Sequence, residues 1–296
     1  MARIVLITNP FASAVSQERL AAVERALRAA ATVETHLTQA RGHATELAAA
    51  AGDADSVVVF SGDGVYNEVL NGIEGAAPIG FVPGGGTSVL PRALGLPRDP
   101  QAAANRIAAA FVAGRTRRIS LGRVNGRRFA FNAGIGLDAE AVRRVEEIGR
   151  AEDGRRPGDV AFALTLARVL ARHRLHFAPQ LEIADHGRAG LLFVANCDPY
   201  TYVGRVPIRL VPGADFERGL AFVAPTEIRP LALPVVAARA LAGRLEPGPS
   251  VLHGHDLDRI EITCDRPLPL QADGEDLGDV EQVVFAAERD AVSVLV

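Results

Sequence analysis

One short stretch of the sequence combines glycines with a single carboxylate directly after an apolar run. It reads SGDGVYNEVLNG at residues 61–72 and follows the apolar run at 57–60. Glycines let a backbone approach an anion closely, and the first N–H groups of a following helix point at that anion. The aspartate at position 63 suits a magnesium ion on the anion better than the anion itself. The pattern therefore predicts a nucleotide-phosphate site and, with it, a phosphotransferase.

Composition narrows the chemistry that such a site can use. The formal net charge is −3, so no overall positive field favours nucleic acid as a partner. The sequence contains no lysine, which excludes a Walker-A lysine and Schiff-base chemistry. A cationic side chain on phosphate must then be arginine, whose planar fork binds two oxygens at once.

Cysteine usage and the N-terminus bear on the compartment. Cys197 and Cys264 are the only cysteines, and we expect two buried, reduced thiols rather than a disulfide framework. The apolar run at residues 4–7 is too short for a signal peptide and predicts a first strand. No segment reaches the roughly 20 uncharged apolar residues that a spanning helix needs. We therefore expect a cytoplasmic protein, with a peripheral position at the inner membrane face left open.

The elements that position the Gly-rich stretch belong to an alternating pattern. Strand signals separated by helical patterns occur at residues 4–7, 33–37, 57–60 and 79–82. This alternation predicts a parallel sheet covered on both faces, in which ligands bind outside the carboxyl ends of the strands. Four loops follow those ends, beginning at Asn9, Thr38, Ser61 and Gly84. Four loops at one edge are a stronger signal than any one of them.

The pattern changes near residues 115–130. Asn125-Gly126 predicts a type I′ hairpin turn, and helical patterns follow at residues 138–148 and 160–173. Short apolar runs then lie at 181–183, 191–197, 220–223, 260–264, 280–285 and 292–296, with a predicted helix at 230–244. Frequent Pro and Gly between short strands predict a β-sandwich-like second domain. The fold class is thus α/β + β, a doubly wound parallel-sheet nucleotide domain followed by a β-sandwich-like domain.

Six motifs, in order, resemble the diacylglycerol kinase catalytic-domain superfamily, and most closely its bacterial lipid kinases, which sphingosine and ceramide kinases also resemble. The resemblance covers nearly the whole chain. The six are Asn9-Pro10 with Ser13, Thr38 with residues 42–44, Ser61-Gly62-Asp63-Gly64 with Asn67 and Glu68, PGGGTSVLPRALGLP at 83–97, NAGIGLD at 132–138, and Asp273-Gly274-Glu275.

The resemblance implies a lipid kinase that uses ATP and magnesium. Diacylglycerol is the best single expectation for the acceptor, which gives phosphatidic acid and a place in phospholipid biosynthesis. It also implies an ATP-binding domain at residues 1–125 and a lipid-substrate domain at 126–285, with a last strand at about 286–296 returning to the first. The expected partners are ATP, a lipid and a membrane surface, and a homodimer stays open.

The resemblance also implies roles for individual residues. Glu275 is the proton acceptor, with Asp273 sharing or taking that role, although Asp-Gly alone is a common hairpin signal. Asp63 binds magnesium directly or through water, unless it is only a helix N-cap. Glu68 either supports the metal or is a solvated carboxylate. The implied ATP-binding residues are Asn9, Pro10, Ser13, Thr38, Ser61, Gly62, Asp63, Gly64, Asn67, Glu68, Gly85, Gly86 and Thr87.

Some positions depart from the family pattern. Ser61 replaces the commoner glycine, Val65 replaces threonine, and Gly86 and Ser88 stand where threonine and asparagine are usual. Arg218 stands where several bacterial members use an aspartate to hold a structural magnesium ion. Because arginine cannot ligate a metal, we expect this second metal site to be absent, with the guanidinium group in the vacant positive role.

Three alternatives stay open. A sphingoid-base or other lipid kinase is mildly favoured by Ser61. An NAD kinase-like enzyme shares the Gly-Asp-Gly loop, but residues 83–97 and the Asp-Gly-Glu element speak against it. An inactive lipid-binding or regulatory homologue is kept open by Val65, Ser88 and Arg218. The helical pattern at 160–170 would line an acyl-chain tunnel or pack as a buried helix, and the arginines around it would face an anionic membrane or only solvent.

Overall fold

The chain folds into two compact units. The computed structural model describes residues 2–149, 159–174, 176–230 and 250–296, together with residues 235, 238, 239 and 242. Unit 1 consists of Met1–Ile119 and Asp290–Val296, and unit 2 of Ser120–Arg289. The borders expected from the sequence, 125 and 285, lie inside unit 2.

Unit 1 alternates strands and helices from its start. Its elements are β1 (Arg3–Thr8), α1 (Gln17–Arg28), β2 (Thr32–Leu37), α2 (His43–Ala50), β3 (Ser56–Ser61), α3 (Asp63–Gly72), β4 (Ile79–Pro83), α4 (Val89–Ala93) and α5 (Pro100–Val112). The strands pair in the order β2-β1-β3-β4, and all three pairings are parallel. All six residues of β3 are buried, as expected for a strand of a covered parallel sheet.

Polar caps fix where the helices of unit 1 begin. The side chain of Ser16 accepts a hydrogen bond from the Arg19 N–H group, so α1 begins directly after it. The carboxylate of Asp99 accepts the Ala102 N–H group at 2.8 Å, and Pro100 occupies the first position of α5.

Unit 2 is mostly antiparallel. The first and last of its strands extend into unit 1. Its elements are β5 (Thr116–Val124), β6 (Arg127–Phe129), β7 (Asn132–Ile135), α6 (Leu137–Ile148), α7 (Asp159–Arg172), β8 (Leu181–Ile183), β9 (Gly187–Ala189), β10 (Leu192–Ala195), β11 (Thr201–Val203), β12 (Val206–Ile208), β13 (Leu220–Pro225), β14 (Val251–Leu257), β15 (Arg259–Ala272) and β16 (Glu275–Leu295). The strands pair in the order β14-β13-β10-β7-β15-β16, and β8 pairs with β15. The core between them includes Phe129 and Phe285, whose rings meet edge to face at 6.4 Å.

The predicted fold class is confirmed, but the strands of unit 2 differ from the sequence prediction. Residues 280–285 and 292–296 were expected to be separate strands, and both belong to the long strand β16. Its last residues belong to unit 1, where Val294 pairs with Ile79 of β4 in parallel. β14 was not predicted, because its sequence VLHGHDL mixes histidines and a glycine with few apolar residues. The predicted helix at 230–244 lies almost entirely outside the described residues.

No helix in the described part of the chain is long and apolar enough to cross a membrane.

Candidate nucleotide and proton-acceptor sites

The four predicted loops of unit 1 begin at one edge of the parallel sheet. In the strand register, Thr8 lies beside Phe60, and Ser61 lies beside Pro83. The loops after β1, β3 and β4 therefore start side by side. The N–H group of Thr38, directly after β2, donates to the Thr8 carbonyl at 2.9 Å and brings the fourth loop to the same edge.

Two of these loops touch through glycine backbones. A Cβ atom on Gly85 would lie 2.8 Å from the Cα atom of Gly62, and one on Gly84 would lie 2.9 Å from the Cα atom of Ser61. Backbone atoms cannot swing aside as a flexible side chain can, so these positions of the PGGG sequence exclude a side chain. The Gly84 N–H group also donates to the Ser61 carbonyl at 2.6 Å, which fixes the loop after β4 against the end of β3.

The loop after β1 joins the same cluster. The Ala14 N–H group donates to the Gly84 carbonyl at 2.8 Å. The Asn9 side chain accepts the Phe11 N–H group at 2.9 Å and shapes the turn that contains Pro10. The Ser13 hydroxyl lies 3.9 Å from the point that a Cβ atom on Gly86 would occupy. The structure thus brings Ser13 close to the glycine loop, as its assignment to one site requires.

The glycine loop uses part of its own amide groups. The Gly85 N–H group donates to the Ser88 hydroxyl at 3.2 Å, and that hydroxyl donates back to the Gly85 carbonyl at 3.1 Å. The Gly84 amide is also engaged, whereas the amides of Gly86, Thr87 and the buried Ser88 have no hydrogen-bond partner within the described residues. Gly86 is exposed and Thr87 is half-buried. These two amides are therefore the ones suited to bind an anion.

Asp63 is anchored by a helix other than its own. It is the first residue of α3, and Gly62 is the N-cap residue. Its Oδ2 accepts the Val89 N–H group at 3.0 Å and its Oδ1 accepts the Leu90 N–H group at 3.1 Å, so the carboxylate caps α4. An ionised carboxylate has about four acceptor positions, so two amide bonds do not by themselves exclude a metal or a metal-bound water.

The donor set around Asp63 decides which metal it suits. Within the described residues, no group of three or more His, Cys, Asp or Glu side chains could hold a metal ion. A single carboxylate is too little for a tightly held all-protein site. Magnesium is commonly held by one or two carboxylates together with substrate phosphates and water. Asp63 therefore fits a magnesium ion that arrives with the nucleotide.

Tyr66 ties the ends of β3 and β4 together, and sequence reasoning missed it. Its hydroxyl lies 2.6 Å from the Ser61 carbonyl and 2.7 Å from the Val82 carbonyl. Burial, followed by the charge of Asp63, raises the pKa of this phenol well above its ordinary value, so it stays a hydrogen-bond donor. The available signal was its rarity, since the chain has three tyrosines and one stands in α3 directly after the Gly-rich residues.

Two other predicted nucleotide residues have local structural contacts. Glu68 Oε2 accepts the Ala44 N–H group at 3.2 Å in the first turn of α2. The carboxylate of Glu68 thus caps α2, a role that neither sequence interpretation included. The Asn71 side chain donates to the backbone carbonyl and to Oδ1 of Asn67, at 2.9 and 3.1 Å. The Ser61 hydroxyl is fully buried and has no hydrogen-bond partner within the described structure.

In unit 2, Asp273 is the anchor of a tight turn. Asp273 and Gly274 connect β15 to β16 with φ angles of +49° and +76°, as a type I′ turn requires. The buried carboxylate of Asp273 accepts three backbone N–H groups, at distances of 2.6 to 3.2 Å. The donors are Ala130, Phe131 and Asn132. This geometry supports an anchoring role for Asp273 more than the proton-acceptor role expected from the sequence.

Glu275 follows this turn as the first residue of β16. Its side chain is buried, and its Oε2 lies 2.6 Å from Nη2 of Arg127. The structure thus places the predicted proton acceptor in an ion pair at the start of a strand, beside the anchored turn.

A polar network supports the same turn from within unit 2. The Gln271 side chain accepts the Gly274 N–H group at 3.0 Å and donates to Asp138 Oδ2 at 2.9 Å. The Tyr200 hydroxyl donates to the same Asp138 oxygen at 2.6 Å. Burial raises the pKa of Asp138, and these two hydrogen bonds oppose the rise. A Cβ atom on Gly134 would lie 2.3 Å from that oxygen, which explains the first of the two glycines in the 132–138 motif.

Arg218 lies near two titratable groups and affects the pKa of each. Burial lowers the pKa of His255, and the charges of His253 and Arg218 lower it further. The pKa of Asp256 is also lowered, first by the Gly219 amide and then by Arg289, with Arg218 as a further contribution. The absence of a structural metal here stays a prediction.

Comparison with known protein families shows which family the N-terminal part of the chain resembles. Residues 3–124 match the family of the diacylglycerol kinase catalytic domain. This segment is similar to that catalytic domain over its whole matched length. The predicted resemblance and the prediction of a kinase are thereby confirmed. No curated protein matches the chain.

Solved structures show the same fold over the length of the chain. A diacylglycerol kinase from Bacillus anthracis str. Sterne is 19% identical with a TM-score of 0.74, covering 99% of this chain and 96% of its own. An NAD kinase from Archaeoglobus fulgidus in complex with ATP is 12% identical with a TM-score of 0.53, covering 99% and 93%.

The segment that matches the family model contains one of the two groups of site residues. All predicted nucleotide residues, from Asn9 to Thr87, lie within the matched segment 3–124. Asp273 and Glu275 lie outside it, so their roles depend on the geometry of unit 2 and on the resemblance of their motif.

Proposed function

We propose that this protein is a lipid kinase that transfers the γ-phosphate of ATP to a lipid hydroxyl, with diacylglycerol as acceptor and phosphatidic acid as product. The observation that supports it most is the glycine-on-glycine contact of Gly62 with Gly85, beside the anchored carboxylate of Asp63. Such an edge presents backbone amides to an anion and one acid to its metal.

The phosphate chain of ATP binds at this edge of unit 1. The amides of Gly86 and Thr87 and the first amides of α3 donate to phosphate oxygens. Asp63 holds the nucleotide's magnesium directly or through water, and the ion supplies positive charge to the phosphate oxygens. Asn9, Ser13 and Thr38 shape the loops around the nucleotide.

Glu275 accepts the proton of the lipid hydroxyl. As the hydroxyl oxygen bonds to the γ-phosphorus, the bond from that phosphorus to the β–γ bridging oxygen breaks and ADP leaves. The proton passes to the Glu275 carboxylate, and Asp273 keeps the turn before it in place. Positioning contributes most to phosphoryl transfer, so the anchored turn matters as much as the base.

The lipid is reached at a membrane surface, and α7 offers a suitable face. Leu164, Ala167, Arg168 and Arg172 of this helix are exposed, whereas Thr165 and Val169 are buried. Residues 160–176 contain no acidic residue. An apolar and cationic face suits an anionic bilayer, so we place the enzyme peripherally at the cytoplasmic face of the membrane. The burial of Val169 favours packing of α7 over a tunnel lining.

A labelled-phosphate assay tests this function against its alternatives. The protein is incubated with γ-labelled ATP, magnesium and mixed micelles of diacylglycerol or sphingosine, or with NAD. Labelled phosphatidic acid is expected. Labelled sphingosine phosphate or NADP would move the substrate to an alternative, and ATP binding without any labelled product would indicate an inactive homologue. Asp63→Asn serves as the control for contaminating kinases.

A further inference from the structure

An exposed aromatic ring lies in the loop after β1. Phe11 is 64% exposed, and it is the only aromatic residue among the large apolar side chains that are exposed within the described part of the chain. Its backbone is held by hydrogen bonds. The Phe11 N–H group donates to the Asn9 side chain at 2.9 Å, and the Ala12 N–H group donates to the Asn9 carbonyl at 3.2 Å. A hydrogen-bonded turn therefore presents this ring to solvent.

A second exposed apolar side chain lies at the end of the neighbouring strand. Leu37 is the last residue of β2 and is 47% exposed. It is the register partner of Thr8, the last residue of β1, and Phe11 follows Thr8 by three positions. A single exposed apolar residue is ordinary on a protein surface. Here two such residues lie at the ends of adjacent strands, at the carboxyl edge of a parallel sheet, where the ligands of such sheets bind.

The loop that carries Phe11 also reaches the candidate phosphate groups. The Ser13 hydroxyl lies 3.9 Å from the point that a Cβ atom on Gly86 would occupy, and the Gly86 amide is one of the two suited to bind an anion. Phe11 precedes Ser13 by two positions, so their Cα atoms are at most about 7 Å apart. The sugar and base of a nucleotide extend beyond its phosphates. A nucleotide with a phosphate at Gly86 can therefore place its base on Phe11.

The chemistry of Phe11 and Leu37 selects what they can bind. Neither side chain has a polar atom, so neither recognises a phosphate or a sugar hydroxyl. A flat base offers an apolar face, and stacking of such a face on an aromatic ring is favourable for every base. We propose that Phe11 and Leu37 form the base subsite of the nucleotide site, in which the base of ATP stacks on the ring of Phe11. The proposal rests on the proposed function, in which ATP is the phosphate donor.

Isothermal titration without lipid tests the proposal. The two probes are ATP and inorganic tripolyphosphate, which has the phosphates without a base, each with magnesium. In Phe11→Ala the affinity for ATP is expected to fall about tenfold, while the affinity for tripolyphosphate stays unchanged. Phe11→Tyr keeps the aromatic face and should bind ATP as the wild type does. Leu37→Ala should lose less ATP affinity than Phe11→Ala. Val112→Ala is the matched control, because it shortens an exposed apolar side chain of α5 outside the site, and it should lose none.

Two results would overturn the base subsite. An equal loss of affinity for ATP and for tripolyphosphate in Phe11→Ala would show that the substitution disturbs the phosphate loops and removes no base contact. An unchanged affinity for ATP in Phe11→Ala would show that the ring does not contribute to binding. The proposed function fails in a different way. A wild type that binds ATP through Phe11 but transfers no phosphate to a lipid would overturn the lipid kinase and support the base subsite, whereas a wild type without affinity for ATP would overturn both.

Discussion

The two candidate sites are built from different parts of the chain. In unit 1, the loops after β1, β3 and β4 meet through glycines, amides and carbonyls, which belong to the backbone. In unit 2, Glu275 is held by a side chain 148 positions away, and Asp273 by amides 141 to 143 positions away. A site formed by backbone leaves a local pattern of glycines. A site formed by distant partners leaves almost none.

The largest effect is expected where backbone meets backbone. A side chain at Gly85 would contact the Cα atom of Gly62, so Gly85→Ala should displace the loop that presents the phosphate amides. A displacement of about 1 Å can cost about a hundredfold in rate, and we expect a loss of this size in kcat/KM for ATP. Gly86→Ala is the matched control, since its Cβ would meet only the Ser13 hydroxyl at 3.9 Å. Equal activity of the two variants would show that the close contact is not needed.

Removal of the charge at Asp63 tests whether the unit 1 edge also needs its one acid. Asp63→Asn should lower turnover by roughly tenfold to a hundredfold at saturating ATP and magnesium, because the amide is a poor metal ligand. Asp99→Asn is the control, because Asp99 also caps a helix of unit 1 and lies outside the proposed site. Because asparagine is about as good an N-cap residue as aspartate, this variant is expected to keep both its stability and its turnover. If Asp63→Asn had normal turnover, Asp63 would have no role in the reaction, and its capping of α4 would be its structural role.

In unit 2, the two acidic residues at one turn are expected to differ in role. Glu275 should contribute to the reaction and Asp273 to stability. Glu275→Gln is expected to keep ATP binding and to lose roughly tenfold to a hundredfold in turnover. Asp273→Asn replaces one of the two oxygens that accept three buried amides with an NH2 group, which cannot accept, so its free energy of unfolding should fall by about 1 to 3 kcal/mol. Denaturant unfolding measures the free energy of unfolding, isothermal titration measures ATP binding, and the labelled-phosphate assay measures turnover. An Asp273→Asn protein with normal stability and no turnover would return the proton-acceptor role to Asp273.

The difference between the sites also explains what could be predicted from the sequence. Apolar runs and the spacing of glycines are local features of a sequence. They were sufficient to predict the parallel strands, the helices between them, and the loops at Asn9, Ser61 and Gly84. Gly62 and Gly85 stood out because they have no side chain, and the structure shows backbone in the space that each side chain would fill.

The structure of unit 2 was predicted less completely from the sequence, and the reasons are physical. The pairing of Arg127 with Glu275, and that of Gln271 and Tyr200 with Asp138, depend on strand register, which one sequence does not reveal. The strand β14 carries too few apolar residues to show a period of two. Glu68 was judged by its place in the Gly-rich motif, whereas its capping of α2 depends on how two helices pack.

The smallest effects are expected at two buried tyrosines, one in each unit. Tyr66→Phe removes a hydroxyl that donates to the carbonyls of Ser61 and Val82 and is also hydrogen-bonded to the Gly84 backbone and the Ser88 hydroxyl. None of these groups titrates between pH 4 and 7. The substitution should lower the free energy of unfolding by about 0.5 to 1.5 kcal/mol, by the same amount at every pH between 4 and 7. Tyr200→Phe instead removes a hydrogen bond to the carboxylate of Asp138.

The pH dependence of that second loss has a definite sign. Burial raises the pKa of Asp138, so the folded state binds its proton more tightly than the unfolded state does, and this group's contribution to stability falls as pH rises through the raised pKa. Because the Tyr200 hydrogen bond opposes the rise, Tyr200→Phe raises that pKa further. The difference in unfolding free energy from the wild type should therefore be smallest near pH 4 and largest at pH 7. The opposite result would be a constant loss of unfolding free energy in Tyr200→Phe and a pH-dependent loss in Tyr66→Phe. That result would show that the contrast between a site built from backbone and a site built from side chains is wrong.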